Sequence, residues 1–204
     1  MKTIIAVQHT QSIHHTNGMV GSWTDWNLSD LGITQAHIVG ANLKKEIGGK
    51  GYVLYSSDLL RAKHTARIIG SYIDTEPVLT GALRERNLGR AVGQSIQWLR
   101  DNMECQEKTV DDRMFSDAES RRDVWNRLIP FYNSVLCAEH ERIILIAHGE
   151  LMGFLCAMWL GFDVEALDKF KLWGQAGGVS VLQEDAFGRA VKRFGDMSYL
   201  KEQG

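Results

Sequence analysis

The chain has few of the features that would stabilise it other than through a folded core. Of its 204 residues only two are proline, Pro77 and Pro130, and only three are cysteine, Cys105, Cys137 and Cys156. An odd cysteine count without CxxC spacing excludes a disulfide-rich scaffold, and reduced thiols in a cytosol are the simplest expectation. The most apolar stretch, MGFLCAMWLGF, has eleven residues, well short of a membrane span. At the N-terminus, MKTIIAVQHT holds too brief an apolar run for a signal peptide, which leaves a cytoplasmic protein as the expectation. The formal net charge is −2, so no global basic field draws the chain to nucleic acid or to anionic lipid. Any anion site must be built locally. Repeats, low-complexity tracts and Pro- or Ser-rich linkers are also absent. One domain over residues 1–204 with an insertion is expected rather than two linked domains.

Alternating strand and helix patterns are present. TIIAV (3–7), YVLYS (52–56) and RIILIA (142–147) are short and continuously apolar, as central parallel strands are. Ser29 is placed to cap a helix through QAHIVGANLKKEI to Gly48, and Ser57 to cap one through DLLRAKHTARIIGSYI. Ser116 and Glu119 have the spacing of a capping box before a helical stripe that Pro130 should kink or break. ELMGFLCAMWLG predicts a buried helix ending at Gly161, and residues 179–185 and 189–196 predict a hairpin around Phe187-Gly188. The pattern predicts a three-layer α/β/α sandwich with a mainly parallel central sheet and a small helical cap insertion at about 86–125.

Open α/β sheets bind ligands at the carboxyl ends of their strands. His9 follows the first strand, Ser56-Ser57-Asp58 and Arg61 follow the second, and His148-Gly149 follow the third. Two imidazoles and a guanidinium beside helix N-termini make a plausible phosphate site. A lone strand-end histidine is more often structural, so the weight falls on what surrounds it. From the N-terminus onward stand Gln8-His9-Thr10-Gln11-Ser12 with His15, then Trp23, Asp25, Asn27, Leu28, Ser29, Gly32, Gln35 and Ala36, then SSDLLRAKHTA (56–66), LRERNLG (83–89), AES (118–120) and ILIAHGELM (144–152).

Taken in order, these blocks resemble the motifs of the histidine phosphatase superfamily, the phosphoglycerate-mutase-like proteins. The resemblance implies that His9 is a nucleophile that takes the phosphoryl group on nitrogen while neutral. It implies that Glu85 is the general acid and then the base, and that Arg61 and His148 hold the non-bridging oxygens. Backbone amides near Gly149 would add donors. No metal or organic cofactor is implied, and the ligand is a small phosphorylated molecule or phosphate.

The chain departs from that family where it matters most. Gln8 stands for an arginine, Thr10 for a glycine and His15 for an asparagine. A charge-assisted hydrogen bond is worth roughly 1.5–3 kcal/mol. Losing the arginine's grip therefore costs about 10- to 150-fold in binding or rate. Gln8, Thr10 and His15 are all expected to meet the ligand, Thr10 through its hydroxyl or through a shifted loop. A protonated His15 is expected to return the missing charge at mildly acid pH. Arg86 and the Arg121-Arg122 pair are candidates to reach the pocket or an anionic substrate tail. His14 and His15 otherwise read as ordinary loop residues. With His9, His148 and Asp25 they show no zinc spacing such as HExxH, so no metal is expected. The expected function is a cofactor-independent phosphomonoester hydrolase passing through phospho-His9. The alternative is a weak or inactive relative that binds a phosphorylated ligand. A mutase is less expected, because its carboxylate-binding basic residues are only partly matched and the chain is shorter than typical mutases.

Overall fold

Six strands and five helices follow one another in a computed structural model that describes residues 2–48 and 51–201. In chain order they are β1 (Thr3–Gln8), α1 (Asp30–Ile47), β2 (Val53–Ser57), α2 (Leu60–Tyr72), β3 (Val78–Thr80), α3 (Ile96–Asn102), α4 (Arg121–Cys137), β4 (Arg142–Ala147), α5 (Leu151–Trp159), β5 (Val179–Asp185) and β6 (Gly188–Asp196). The sheet order is β3-β2-β4-β1-β5-β6. The first four strands in that order run parallel, and the β5–β6 hairpin adds two antiparallel pairings, β1–β5 and β5–β6. Among the described residues no helix is long and apolar enough to cross a membrane.

The continuous apolar strands are explained by burial on both faces. Ile4 and Ala6 of β1, with Ile143 and Leu145 of β4, pack under α4 and α5. Ile5 and Val7, with Ile144 and Ile146, pack under α1 and α2. Strand alternation sends every second side chain to the opposite helical layer, which produces the three-layer sandwich.

Local chemistry sets the helix ends, in two cases not where expected. Ser29 caps α1 as expected, accepting from the Gly32 amide at 3.1 Å. Ser57 does not cap α2. It is the last residue of β2, the cap residue is Leu59, and the Ser57 hydroxyl lies 2.9 Å from His148 Nε2. The capping box of α4 is Ser120 with Asp123, not Ser116 with Glu119. Glu119 is drawn instead into an ion pair with Arg127 at 2.9 Å. Helix α4 runs unbroken through Pro130. The carbonyl that loses its donor belongs to Asn126, and both residues lie on the exposed side, open to solvent. The three-residue β3 was not expected; it is an edge strand following Pro77.

Between β3 and α4, helix α3 and a 3-10 turn at Gly89–Ala91 gather around a small apolar cluster of Ala91, Phe115 and Ala118. The insertion's expected end at 125 lies inside α4, whose Val124 belongs to the main core.

Register brings the strand ends together. Gln8 pairs with Ala147 across β1 and β4, and the His9 amide donates to the Ala147 carbonyl at 3.0 Å. His9 and His148 therefore leave the sheet side by side. The loop after His9 is pinned to α1 at Gly32, where a Cβ would fall 1.8 Å from the Gln11 carbonyl oxygen. Gly32→Ala should lower stability by about 1–3 kcal/mol, the usual range for overpacking. Thermal unfolding should show a midpoint several degrees below wild type; an unchanged midpoint would mean the loop has another resting place.

Candidate active site

His9 is 2% exposed and held by its neighbours in one tautomer. Its Nδ1 lies 2.8 Å from the Thr10 carbonyl, which can only accept, so Nδ1 carries the proton. The lone pair is then on Nε2, where Arg61 Nε donates at 3.2 Å. Burial, followed by the Arg61 charge, holds the His9 pKa well below its ordinary value. The ring is neutral, as a nitrogen nucleophile must be.

Arg61 comes from the first turn of α2 and is 1% exposed. Its Nη1 donates to the Thr24 carbonyl at 2.9 Å and its Nη2 to the Ser22 carbonyl at 2.7 Å. Ser22 holds a positive φ of 39°. Its hydroxyl donates to the Arg86 carbonyl at 2.7 Å and accepts from the Leu88 amide at 2.9 Å. Desolvation draws the Arg61 pKa down to about 10, which leaves the guanidinium charged at neutral pH. His148 is fully buried, edge-on to His9 at 5.0 Å between ring centroids. Its Nε2 meets Ser57, and its Nδ1 has no partner.

Glu85 lies across the pocket from this cationic side. Its Oε1 accepts from the Arg86 amide at 3.0 Å and its Oε2 from the Glu150 amide at 3.4 Å. Its backbone carbonyl accepts from Trp23 Nε1 at 2.6 Å, so Trp23 does more than pack. Burial outweighs these hydrogen bonds and the Arg61 charge, and raises the Glu85 pKa. A carboxyl that keeps its proton toward neutral pH suits a general acid.

The structure gathers His9, Arg61, Glu85, Gln8, His15 and Gly149 around a cavity of about 220 Å³. His148 does not line it and lies edge-on to His9. Four further candidates, Thr10, Arg86, Arg121 and Arg122, are also not at this cavity. Thr10 is fully buried, and its hydroxyl donates to the Gly32 carbonyl at 2.7 Å. Arg86 lines a neighbouring cavity of about 290 Å³ and lies between Glu107 at 2.6 Å and Glu150 at 3.1 Å. Arg121 is held by Asp168 at 2.9 Å and by the Leu167 carbonyl, and Arg122 by Asp111 and Glu165. The cations expected for an anionic tail are thus already paired. His15 stacks on His9 at 5.4 Å with an interplanar angle of 8°. Its residue surface is open, but crowding around the ring and the Arg61 charge lower its pKa. Both effects oppose the expected return of positive charge by His15.

Four further residues shape the site. His14 lines the cavity, with its pKa pushed down to about 3 by burial, by His15 and by Arg61. Trp173 lines both cavities. Gly174 closes over Gln8 so tightly that a Cβ there would lie 2.5 Å from Gln8 Oε1, itself buried without a partner. The available signal for this loop was its glycine density in WGQAGG (173–178). The fourth, Glu150, is a second buried acid.

A parallel sheet ending in two apposed histidines, with a buried arginine and a raised-pKa glutamate facing them, is an α/β arrangement suited to phosphoryl transfer. The comparisons agree. The chain belongs to the histidine phosphatase superfamily, branch 1, whose family model matches residues 4–197. It is 28% identical over 207 residues to the 2,3-bisphosphoglycerate-dependent phosphoglycerate mutase of Rhizobium etli (strain CIAT 652), covering 96% of this chain and 97% of that one. The expectation that length separates this chain from mutases fails on that coverage. Among solved structures, a mycobacterial glucosyl-3-phosphoglycerate phosphatase complexed with VO3 is similar with a TM-score of 0.83 at 21% identity, covering 96% of this chain and 100% of that one. The same phosphatase complexed with inorganic phosphate gives 0.79 at 22% identity, covering 98% and 99%. At such identities the likeness speaks for the fold.

Burial raises the Glu150 pKa to about 7, opposed by the Arg86 charge and reinforced by Glu85 and Glu107. A carboxyl whose folded pKa lies above its unfolded one stabilises the fold most below the unfolded pKa and loses that contribution as pH rises through the folded one. Wild-type stability should therefore fall between about pH 4.3, the unfolded value, and about 7. In Glu150→Gln the melting temperature should drop a few degrees less between pH 5 and pH 8. Parallel melting curves for the two proteins would contradict this.

Proposed function

We propose that this protein is a phosphomonoester hydrolase working through a phosphohistidine at His9. The observation that carries the reading is one buried, neutral imidazole with its Nε2 lone pair beside Arg61, in a cavity that Glu85 also lines. In the first step Nε2 attacks phosphorus, the bond to the leaving oxygen breaks, and Glu85 gives that oxygen its proton. In the second, the Glu85 carboxylate takes a proton from water, whose oxygen attacks the phosphohistidine. The P–N bond breaks and inorganic phosphate leaves. Arg61 stabilises the charge on the non-bridging oxygens throughout. Gln8 brings a neutral amide where a guanidinium would grip, so turnover is slow.

Hydrolysis is favoured over mutase action by the leaving-group side. Glycerate carries a carboxylate, and Arg86 next to the site already faces Glu107 and Glu150. A neutral leaving group suits that surrounding better. The mutase reading keeps support from the name of the Rhizobium etli relative. An assay of 3-phosphoglycerate with 2,3-bisphosphoglycerate decides between the two: isomerisation faster than phosphate release would replace our reading.

Aryl phosphate turnover from pH 5 to 8 is the primary test. His9→Ala should lose on the order of 10³-fold or more. Glu85→Gln should lose about 10²–10⁴-fold on an alkyl phosphate, and less on an aryl phosphate, whose leaving group needs no proton. On the alkyl phosphate, wild-type activity should fall as pH rises through the raised Glu85 pKa. Turnover equal in wild type and His9→Ala would overturn the mechanism; silence in both would leave a phosphate-binding protein.

A further inference from the structure

Two of the three departures at the nucleophile motif point the same way. Gln8 removes a positive charge from the pocket, and His15 adds a nitrogen donor to it. With His14 and His9 they turn a cation-lined wall into an imidazole-lined one. One ring nitrogen from each of His9, His14 and His15 lies within 4.8 Å of those of the other two. Their ring centroids are 5.8, 5.4 and 4.0 Å apart. We propose that these three residues form a site for a divalent transition metal of the zinc class, and that its occupancy excludes phosphoryl transfer.

The donor set selects the metal. Three neutral imidazoles with no carboxylate among them suit zinc, copper or nickel, and offer little to magnesium or calcium. Zinc–nitrogen bonds of about 2.0–2.1 Å place tetrahedral ligand atoms roughly 3.3 Å apart, so the rings must close by up to about 1.5 Å. His14 and His15 sit in a 3-10 turn at Ile13–His15 on the surface, the part of the site best able to move.

The outer shell is partly in place. Histidine ligands usually donate their second ring nitrogen to a carbonyl or similar acceptor. His9 Nδ1 already does so to Thr10, leaving Nε2 for a metal. His14 Nδ1 meets the Ser12 hydroxyl, which likewise frees Nε2. His15 is the ring that must turn, because its Nδ1 accepts from the Ser12 amide at 3.2 Å. Its exposure gives it room to do so. Arg61 Nε now lies 3.2 Å away along the His9 Nε2 lone pair, so the guanidinium would have to swing aside and strain or lose its bonds to the Ser22 and Thr24 carbonyls. A fourth position open to the cavity takes an anionic ligand, which separates the metal from the guanidinium. The buried Gln8 Oε1, unpartnered at the same cavity, marks unfilled polar capacity there.

Exclusion follows because a metal on Nε2 takes the lone pair that would attack phosphorus. That clause rests on the phosphatase reading, whereas metal binding itself does not. The test is a titration of cobalt(II) into tag-free protein, followed by visible absorption. Wild type should show saturable tetrahedral bands at one equivalent, bleached by zinc. His14→Ala and His15→Ala should each bind at least about 10- to 100-fold more weakly, the loss that even an outer-shell change brings. His37→Ala, an exposed histidine of α1, should match wild type. Zinc should also raise the wild-type unfolding midpoint, a readout that needs no variant. Absence of saturable bands, an unmoved midpoint, or bands retained in both loop variants would overturn the site. Turnover without bands would remove the metal site and leave the phosphatase reading. Bands without turnover would do the reverse.

Discussion

The interaction on which the site depends is the burial of the Arg61 guanidinium beside His9. A charge with 1% of its surface exposed needs partners, and two of its three sets of donors are satisfied by the Thr24 and Ser22 carbonyls. The remaining Nε–H is aimed at His9 Nε2. Burial disfavours the charged form of every imidazole near it, and the Arg61 charge adds to that: His9, His14, His15 and His148 all have lowered pKa values with burial as the larger cause. Burial and one cation fixed by backbone carbonyls therefore act together to favour uncharged nitrogen donors within one pocket.

The other wall is acidic and equally desolvated. Glu85 and Glu150 both have raised pKa values, with Arg86 between Glu150 and Glu107. The two sides divide the chemistry. The imidazole side can donate electron pairs, and the carboxyl side can donate protons. Ser22 and Trp23 hold the two in register: the Ser22 carbonyl accepts from Arg61 and its hydroxyl donates to the Arg86 carbonyl, and the Trp23 indole N–H donates to the Glu85 carbonyl. The loop from 20 to 26 thus works as the bracket that joins both walls.

Much of the frame was legible in the residues. The strands over TIIAV, YVLYS and RIILIA stood out because a doubly buried strand must be apolar throughout. The Phe187-Gly188 hairpin stood out because a turn interrupts alternation. Helix starts were less legible. Ser116, Ser120, Glu119 and Asp123 offer two overlapping capping boxes, and only tertiary pairing of Glu119 with Arg127 decides between them. His9, Arg61, Glu85 and His148 were readable as candidates since three of them follow strand ends or open a helix. Glu150, Trp173 and Gly174 were not, because their roles arise from contacts across distant segments. Arg86, Arg121 and Arg122 looked available in sequence, where their carboxylate partners cannot be seen. Thr10 looked like a ligand group, but its hydroxyl is satisfied by α1.

The most direct test of the account is the state of the His9 ring itself. Nitrogen-15 spectra of the imidazoles, recorded from pH 5 to 8 with His9→Ala for assignment, report tautomer and protonation together. The expected His9 ring stays neutral throughout, with its proton on Nδ1 and an unprotonated Nε2 that accepts from Arg61. A His9 that titrates near its ordinary value of about 6.5, or that carries its proton on Nε2, would contradict it.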